Sequence, residues 1–228
     1  MSDVEVSSPA VAPVSSPQEI ASPVRKRPKP GERRVQILQA LATMLEQPGA
    51  ERITTAALAA RLAVSEAALY RHFASKAQMF EGLIEFIEQS VFSLVNQIAE
   101  RESSSGSVEP TRDAQAGMRQ AAKVVAMVMQ FAEKNPGMTR VMVGDALVFE
   151  NERLQQRMNQ FFDKIEATLK QSLRGAAEAS GSATPSVDTQ VCASVLTAFV
   201  VGRLQRFARS GFKRLPSEHL EASLALIL

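Results

Sequence analysis

The stretch Ile53-Thr54-Thr55-Ala56-Ala57-Leu58-Ala59-Ala60-Arg61-Leu62-Ala63-Val64-Ser65-Glu66-Ala67-Ala68-Leu69-Tyr70-Arg71-His72-Phe73 governs the architecture of this chain. It reads as two short helices joined by a tight turn. Thr54 or Thr55 suits the N-cap of the first helix and Ser65 that of the second, because the free N–H groups of a first turn need an acceptor. Leu58 and Leu62 supply the buried side of the first helix. Leu69 and Phe73, four apart, supply that of the second. With those two turned inward, Glu66, Ala67, Tyr70 and Arg71 point outward. A helix that exposes small residues, hydrogen-bond donors and a cation together fits the major groove of DNA.

Each candidate residue has an ordinary surface or capping explanation when taken singly. Several such groups in one short module favour a shared task. Ala67 can meet a thymine methyl, and Arg71 can reach a guanine or a phosphate. Tyr70 and His72 carry donors suited to phosphate oxygens, and Thr54, Thr55 and Ser65 can cap and touch phosphate together. Lys76 adds charge at the start of the following helix, where the helix dipole also favours an anion.

Charge supports this. Residues 25–76 hold ten Lys/Arg and four Asp/Glu, whereas the rest of the chain holds sixteen and twenty. Such asymmetry favours a polyanionic partner over a generally basic surface. Residues 1–24 are rich in Ser, Pro, Ala and Val without periodicity, and are expected to be disordered. They lead into Arg25-Lys26-Arg27-Pro28-Lys29-Pro30, a basic arm in which Arg27 is a candidate phosphate or minor-groove contact. The expected organisation is a tail with a basic arm over 1–30, a helix-turn-helix domain over 31–77 and a larger helical domain over 78–228.

Helical spacing continues on both sides. Val35, Leu38, Leu41, Ala42 and Leu45 mark a helix that Pro48-Gly49 stops. Ser75-x-x-Gln78 has the form of a capping box. The long helix it opens runs to about Arg101, with Phe80, Leu83, Ile84, Ile87, Val91, Leu94, Val95 and Ile98 in one stripe. Ser103–Ser107 is expected to break it. A further helix is expected over about 112–134, ended by Asn135-Pro136-Gly137, then one over 139–149. Leu154, Met158, Phe161, Ile165, Leu169 and Leu173 mark a long amphipathic helix. Gly175–Ser186 reads as a loop, residues 187–211 as an apolar helix with an arginine-rich end, and 217–228 as a short last helix. No strand alternation survives, so the fold class is all-α.

The lone cysteine, Cys192, lies in an apolar run and cannot form a disulfide within the chain, which suits a reducing cytoplasm. The run 191–201 is too short to span a bilayer, so no membrane association is expected. There is no phosphate loop, nucleophile motif or metal-ligand cluster; neither a catalytic site nor a cofactor nor a metal is expected. Phe86 stands apart. At 100° per residue it falls roughly 120° from the centre of its helix's apolar stripe. It either packs on a neighbouring helix or anchors a protein partner.

These residues carry a resemblance. The run Ile53–Phe80, with Leu-Tyr-Arg-His-Phe-Ala-Ser-Lys at 69–76, resembles the DNA-binding domain of the TetR family. Ser65–Phe73, Leu83–Glu88, Asn135-Pro136-Gly137, Ala146–Glu150 and Arg153–Gln155 resemble that family's nucleoid occlusion branch. The similarity spans about residues 32–215. It implies a homodimer built on the last two long helices, reading two half-sites of a near-palindrome in double-stranded DNA. It implies a cytoplasmic, nucleoid-associated protein that engages the C-terminal tail of the division protein FtsZ when DNA-bound and blocks ring assembly. Phe86, Lys134 and Asn135 match or nearly match the branch's FtsZ-contacting pattern. Leu94 and Gln130 depart from it, where relatives carry Arg and Gly. Ala63 stands where a turn glycine is common. The alternative is a TetR-type repressor released by a small ligand, which would need a pocket with convergent polar groups. No polar set of that kind is evident, and no small-molecule ligand is expected.

Overall fold

The structure, a computed structural model, describes residues 31–47, 53–104, 110–179, 181 and 183–228. The expected disordered tail, Arg27 in its basic arm, the Pro48-Gly49 stop and residues 105–107 of the serine-rich break lie outside them. Among the described residues the chain is helical and contains no strand. In order the elements are α1 (Glu32–Leu45), α2 (Thr55–Arg61), α3 (Glu66–Tyr70), α4 (Lys76–Ser104), α5 (Pro110–Lys134), α6 (Pro136–Met142), α7 (Glu152–Ala179), α8 (Pro185–Arg209) and α9 (Leu220–Ile227). A 3₁₀ turn, Asp145–Leu147, joins α6 to α7.

α5 lies along α7, and α7 along α8, with α4 packed on both α5 and α7. The apolar stripes meet in one continuous core that runs from Ile37 on α1 to Leu224 on α9. Phe92 and Phe161 meet edge to face within it at 5.7 Å. Glu88 on α4 receives both Arg157 at 3.2 Å and Lys164 at 3.4 Å from α7. Glycine sets two of the closest approaches. A Cβ on Gly117 of α5 would stand 2.2 Å from the Ser172 carbonyl oxygen on α7. One on Gly137 of α6 would stand 1.9 Å from that of Ala42 on α1. Real side chains do not occupy such positions, so these helices touch backbone to backbone.

Several boundaries differ from the sequence reading. Pro136-Gly137 does not separate two helices by a break. Pro136 opens α6 at its first turn, where proline's fixed φ and missing N–H cost nothing. The expected helix over 139–149 is thus α6 followed by Gly144 in the left-handed region and the 3₁₀ turn. α4 reaches Ser104 and α7 reaches Ala179, so Ser103, Ser104 and Gly175 are helical. Small residues weaken a helix but do not end it when the preceding turns are anchored in a core. Leu94 is 39% and Val35 43% exposed. Both fall on the margins of seams that Val91 and Val95, and Leu38 and Leu41, carry.

The outer face of α8 is apolar. Val187, Val191 and Val195 are 59%, 58% and 46% exposed, while Ala193, Leu196, Val200 and Leu204 on the other side are buried. By length and composition α8 is apolar enough to cross a membrane, which the run 191–201 alone did not imply.

Candidate nucleic-acid interface

Three short-range devices build the helix-turn-helix. The Thr54 hydroxyl oxygen accepts from Ala57 N–H at 3.1 Å, capping α2. The Ser65 hydroxyl oxygen accepts from Ala68 N–H at 3.3 Å, capping α3. Between them Ala63 sits at φ +52, the left-handed turn that reverses the chain. The Thr55 hydroxyl donates to the Glu66 carboxylate at 2.6 Å, tying α2 to α3 directly. Leu58 and Leu69 are each 1% exposed and clasp the two helices from inside.

This framework leaves the expected face open. Ala67, Tyr70, Arg71 and His72 are exposed, with Tyr70 at 45%. Ala56, Ala57 and Ala60 on α2 are exposed as well, so small side chains border the same surface. Thr54, Thr55 and Ser65 join it through the caps and the α2–α3 tie. Lys76 is placed differently. It is half-buried, and its ammonium pairs with Glu150 in the connection before α7. Its charge fastens the start of α4 to the larger helical region.

Arg34 has a role that spacing could not reveal. Its guanidinium donates to the His72 carbonyl at 3.2 Å and lies 4.2 Å from the centroid of the Phe73 ring. It thereby holds α1 to the end of α3, in the manner of a stacked arginine. The partner lies 38 residues away, so no local signal marks it. Half of the expected capping box forms, with Ser75 accepting from Gln78 N–H at 3.1 Å, while the return bond goes to the residue before the cap. Gln78 returns the bond to Ala74 N–H at 2.8 Å.

The second set of candidates lies on α4 and at the end of α5. Phe86 is half-buried and packed against the core margin. Lys134 is exposed at the last residue of α5. Asn135 is half-buried and donates its amide to the Phe131 carbonyl at 2.7 Å, closing α5's C-terminus. Among the described residues no group of His, Cys, Asp and Glu could hold a metal ion. Burial pushes the Cys192 thiol above its ordinary range, which leaves it a poor nucleophile.

Known proteins bear on this arrangement. The description "Bacterial regulatory proteins, tetR family" matches residues 37–83, and the SlmA-like "Tetracyclin repressor-like, C-terminal domain" matches 116–228. The nucleoid occlusion factor SlmA of Aliivibrio fischeri is 49% identical over 201 residues, covering 88% of this chain and 96% of that one. The chain belongs to the SlmA family. The SlmA of Vibrio cholerae is 48% identical over 196 residues, covering 86% and 93%. Among solved structures, the FadR regulator of Bacillus subtilis in complex with stearoyl-CoA superposes with a TM-score of 0.65. It shares 14% identity, covering 85% of this chain and 96% of that one, and so speaks for the TetR fold alone. SlmA-family membership thus encompasses both the helix-turn-helix and the helical region it is fastened to.

Proposed function

We propose that this chain is a nucleoid occlusion factor: a homodimer that binds near-palindromic sites on the chromosome and, when DNA-bound, engages the C-terminal tail of FtsZ and blocks ring assembly over the nucleoid. The carrying observation is identity near one half with SlmA proteins over almost their whole length. The outward face of α3, with Ala67, Tyr70, Arg71 and His72, supports base and phosphate contact. The exposed valines of α8 support burial against a second copy, since a stripe of that kind is what a two-fold helical interface covers. Phe86, Lys134 and Asn135 are the candidate tail contacts, with Phe86 as the apolar anchor.

FtsZ assembly followed by light scattering tests this reading. The protein together with DNA enriched by its own binding lowers assembly, and either alone lowers it less. Equal assembly with and without that DNA refutes the reading. Phe86→Ala keeps DNA binding and weakens the effect on FtsZ by about tenfold, on the scale of one interface anchor. Loss of helicity in that variant would instead make Phe86 a packing residue.

A ligand-released repressor is the second reading. A cleft of about 610 Å³ between α4, α5 and α7 is lined by Phe92, Val95, Asn96, Gly117, Gln120 and Thr168 among others. It is open to solvent rather than enclosed, unlike the buried sites that hold most small ligands.

A further inference from the structure

Residues 203–214, Arg-Leu-Gln-Arg-Phe-Ala-Arg-Ser-Gly-Phe-Lys-Arg, hold five cations and no acid. Outside this segment and residues 25–76, the chain carries eleven basic and twenty acidic residues. Arg203 is used locally: it donates to Ser223 at 3.1 Å and lies over the Phe199 ring. Arg206 and Arg209 end α8, where cations oppose the helix dipole, and that is an ordinary reason for them.

The dipole does not account for Lys213 and Arg214, which lie past the helix in a built turn. Gly211 and Phe212 are both left-handed, at φ +64 and +63. The Ser210 hydroxyl oxygen accepts from Lys213 N–H at 3.1 Å and from Arg214 N–H at 3.0 Å. The Phe212 ring meets Phe207 edge-on at 5.2 Å and lies 5.5 Å beneath the Arg140 guanidinium. A left-handed phenylalanine is strained, and strain persists where the surroundings over-determine it. Here it fixes the direction in which two cations leave the chain. Arg206, Arg209, Lys213 and Arg214 are all exposed. Among the described residues none of their side chains takes an ion pair.

The location of this hook is informative. Arg209 and Gly211 share a shallow recess with Arg140, Asp145 and Phe149. Asp145 is the only acid in that lining. Glu150, next to Phe149, grips Lys76 at the start of α4, and α6, which carries Arg140, rests on α1 through Gly137. The α7–α8 pair runs antiparallel: Lys170 and Arg174 line one recess with Pro185 and Ser186, whereas Gln155 and Asn159 line another with Val201. The hook is therefore at the end of the helical region that meets the helix-turn-helix, far from Lys170.

We propose that Arg206, Arg209, Lys213 and Arg214 form a second phosphate-binding surface, which follows the backbone of the same DNA that α3 reads. This rests on the DNA-binding reading. Unpaired cations exposed beside a module that already faces a polyanion fit a phosphate track, which adds affinity without sequence preference.

The test is a salt titration of full-length protein, by fluorescence anisotropy, on a duplex enriched by the wild type from random sequence. Three proteins are compared: wild type, Lys213→Gln/Arg214→Gln, and Lys170→Gln/Arg174→Gln, which removes equal charge at the far end. The hook variant binds about tenfold more weakly, and its log–log salt slope falls by roughly 0.9 for each phosphate that it no longer neutralises. The far-end variant keeps the wild-type slope. Equal slopes in all three proteins overturn the hook while leaving DNA binding intact, and so do equal drops in affinity in both variants. An unchanged DNA slope together with abolished binding to an acidic peptide overturns it in favour of a protein partner. A wild type that binds no duplex overturns the DNA reading itself. Circular dichroism matching the wild type excludes misfolding, and should the first variant misfold, Arg206→Gln/Arg209→Gln serves the same comparison.

Discussion

The outer faces of α3 and α8 are both open in a single chain, but for opposite reasons. α3 is five residues long and buries one of them, Leu69. It holds its place through local polar devices: the Ser65 cap, the Thr55–Glu66 bond and the Arg34 bond to the His72 carbonyl. α8 is 25 residues long and holds its place by burial of Ala193, Leu196, Val200 and Leu204 along one side. A short helix pinned by hydrogen bonds can present a polar face that water tolerates until a polyanion replaces the water. A long helix with valines 46–59% exposed presents a face that water disfavours. Covering the exposed half of each valine is worth about 1 kcal/mol. Each surface is thereby suited to a different partner: nucleic acid for α3, and a second copy of the same stripe for α8.

The most direct attack on that contrast is to make α8 resemble α3. Val191→Glu with Val195→Glu places charges in the middle of the proposed interface, and analytical ultracentrifugation then reports a monomer. Affinity for a duplex carrying two half-sites falls about 100-fold or more, because linked sites gain 10²–10⁴ from effective concentration. Circular dichroism stays near wild type, since both positions are exposed in the single chain. A dimer that survives both charges would move the interface elsewhere.

A smaller effect follows from the reverse change, which makes α3 resemble α8. Tyr70→Ala removes one donor and its ring from the exposed face. DNA affinity falls about tenfold, near 1.4 kcal/mol, while the dimer persists. Tyr70 is the chain's only tyrosine, and there is no tryptophan. Its intrinsic fluorescence therefore reports on this face alone, and DNA that leaves the emission unchanged would argue against contact there. Thr54→Ala weakens binding too, but it also removes a helix cap worth about 1 kcal/mol. Thr54→Asp keeps a capping acceptor but loses the hydroxyl donor, which separates the two effects.

The two regions also differ in how far the sequence exposed them. The caps of α2 and α3 reach N–H groups three residues on and the Thr55–Glu66 tie spans eleven, all inside Ile53–Phe73, so caps, turn and faces were legible there, whereas Arg34 reaches across 38. The apolar seams of α4 and α7 were legible as well, through their period. What escaped was long-range. Lys76 reads from spacing alone as a phosphate contact, and its ion pair with Glu150, 74 residues on, has no local signal. Pro136 reads as a stop, yet α6 begins there because Gly137 lets the helix settle on Ala42. The hook at 210–214 depends on Arg140 lying over Phe212, which no spacing announces. Side chains that act through distant partners leave no periodic mark, whereas those that act through the next turn do.

The smallest effect concerns the turn that joins α2 to α3. Ala63 holds φ +52 where a Cβ crowds the carbonyl oxygen, a cost of about 1–2 kcal/mol. Ala63→Gly removes that cost but gives the unfolded chain more freedom, worth about 0.4–1 kcal/mol. The net is a gain of roughly 0.5–1 kcal/mol, or a Tm higher by about 1–3 °C for a chain of this size. Ala60→Gly, on the exposed side of α2 three residues earlier, supplies the opposite sign. Its backbone is right-handed helix, and glycine there is about 1 kcal/mol less favourable than alanine. The same chemical change thus raises Tm at 63 and lowers it at 60. Both variants lowering Tm would show that Ala63 is not strained in solution, and that the turn does not need the left-handed conformation to set α3 against α2.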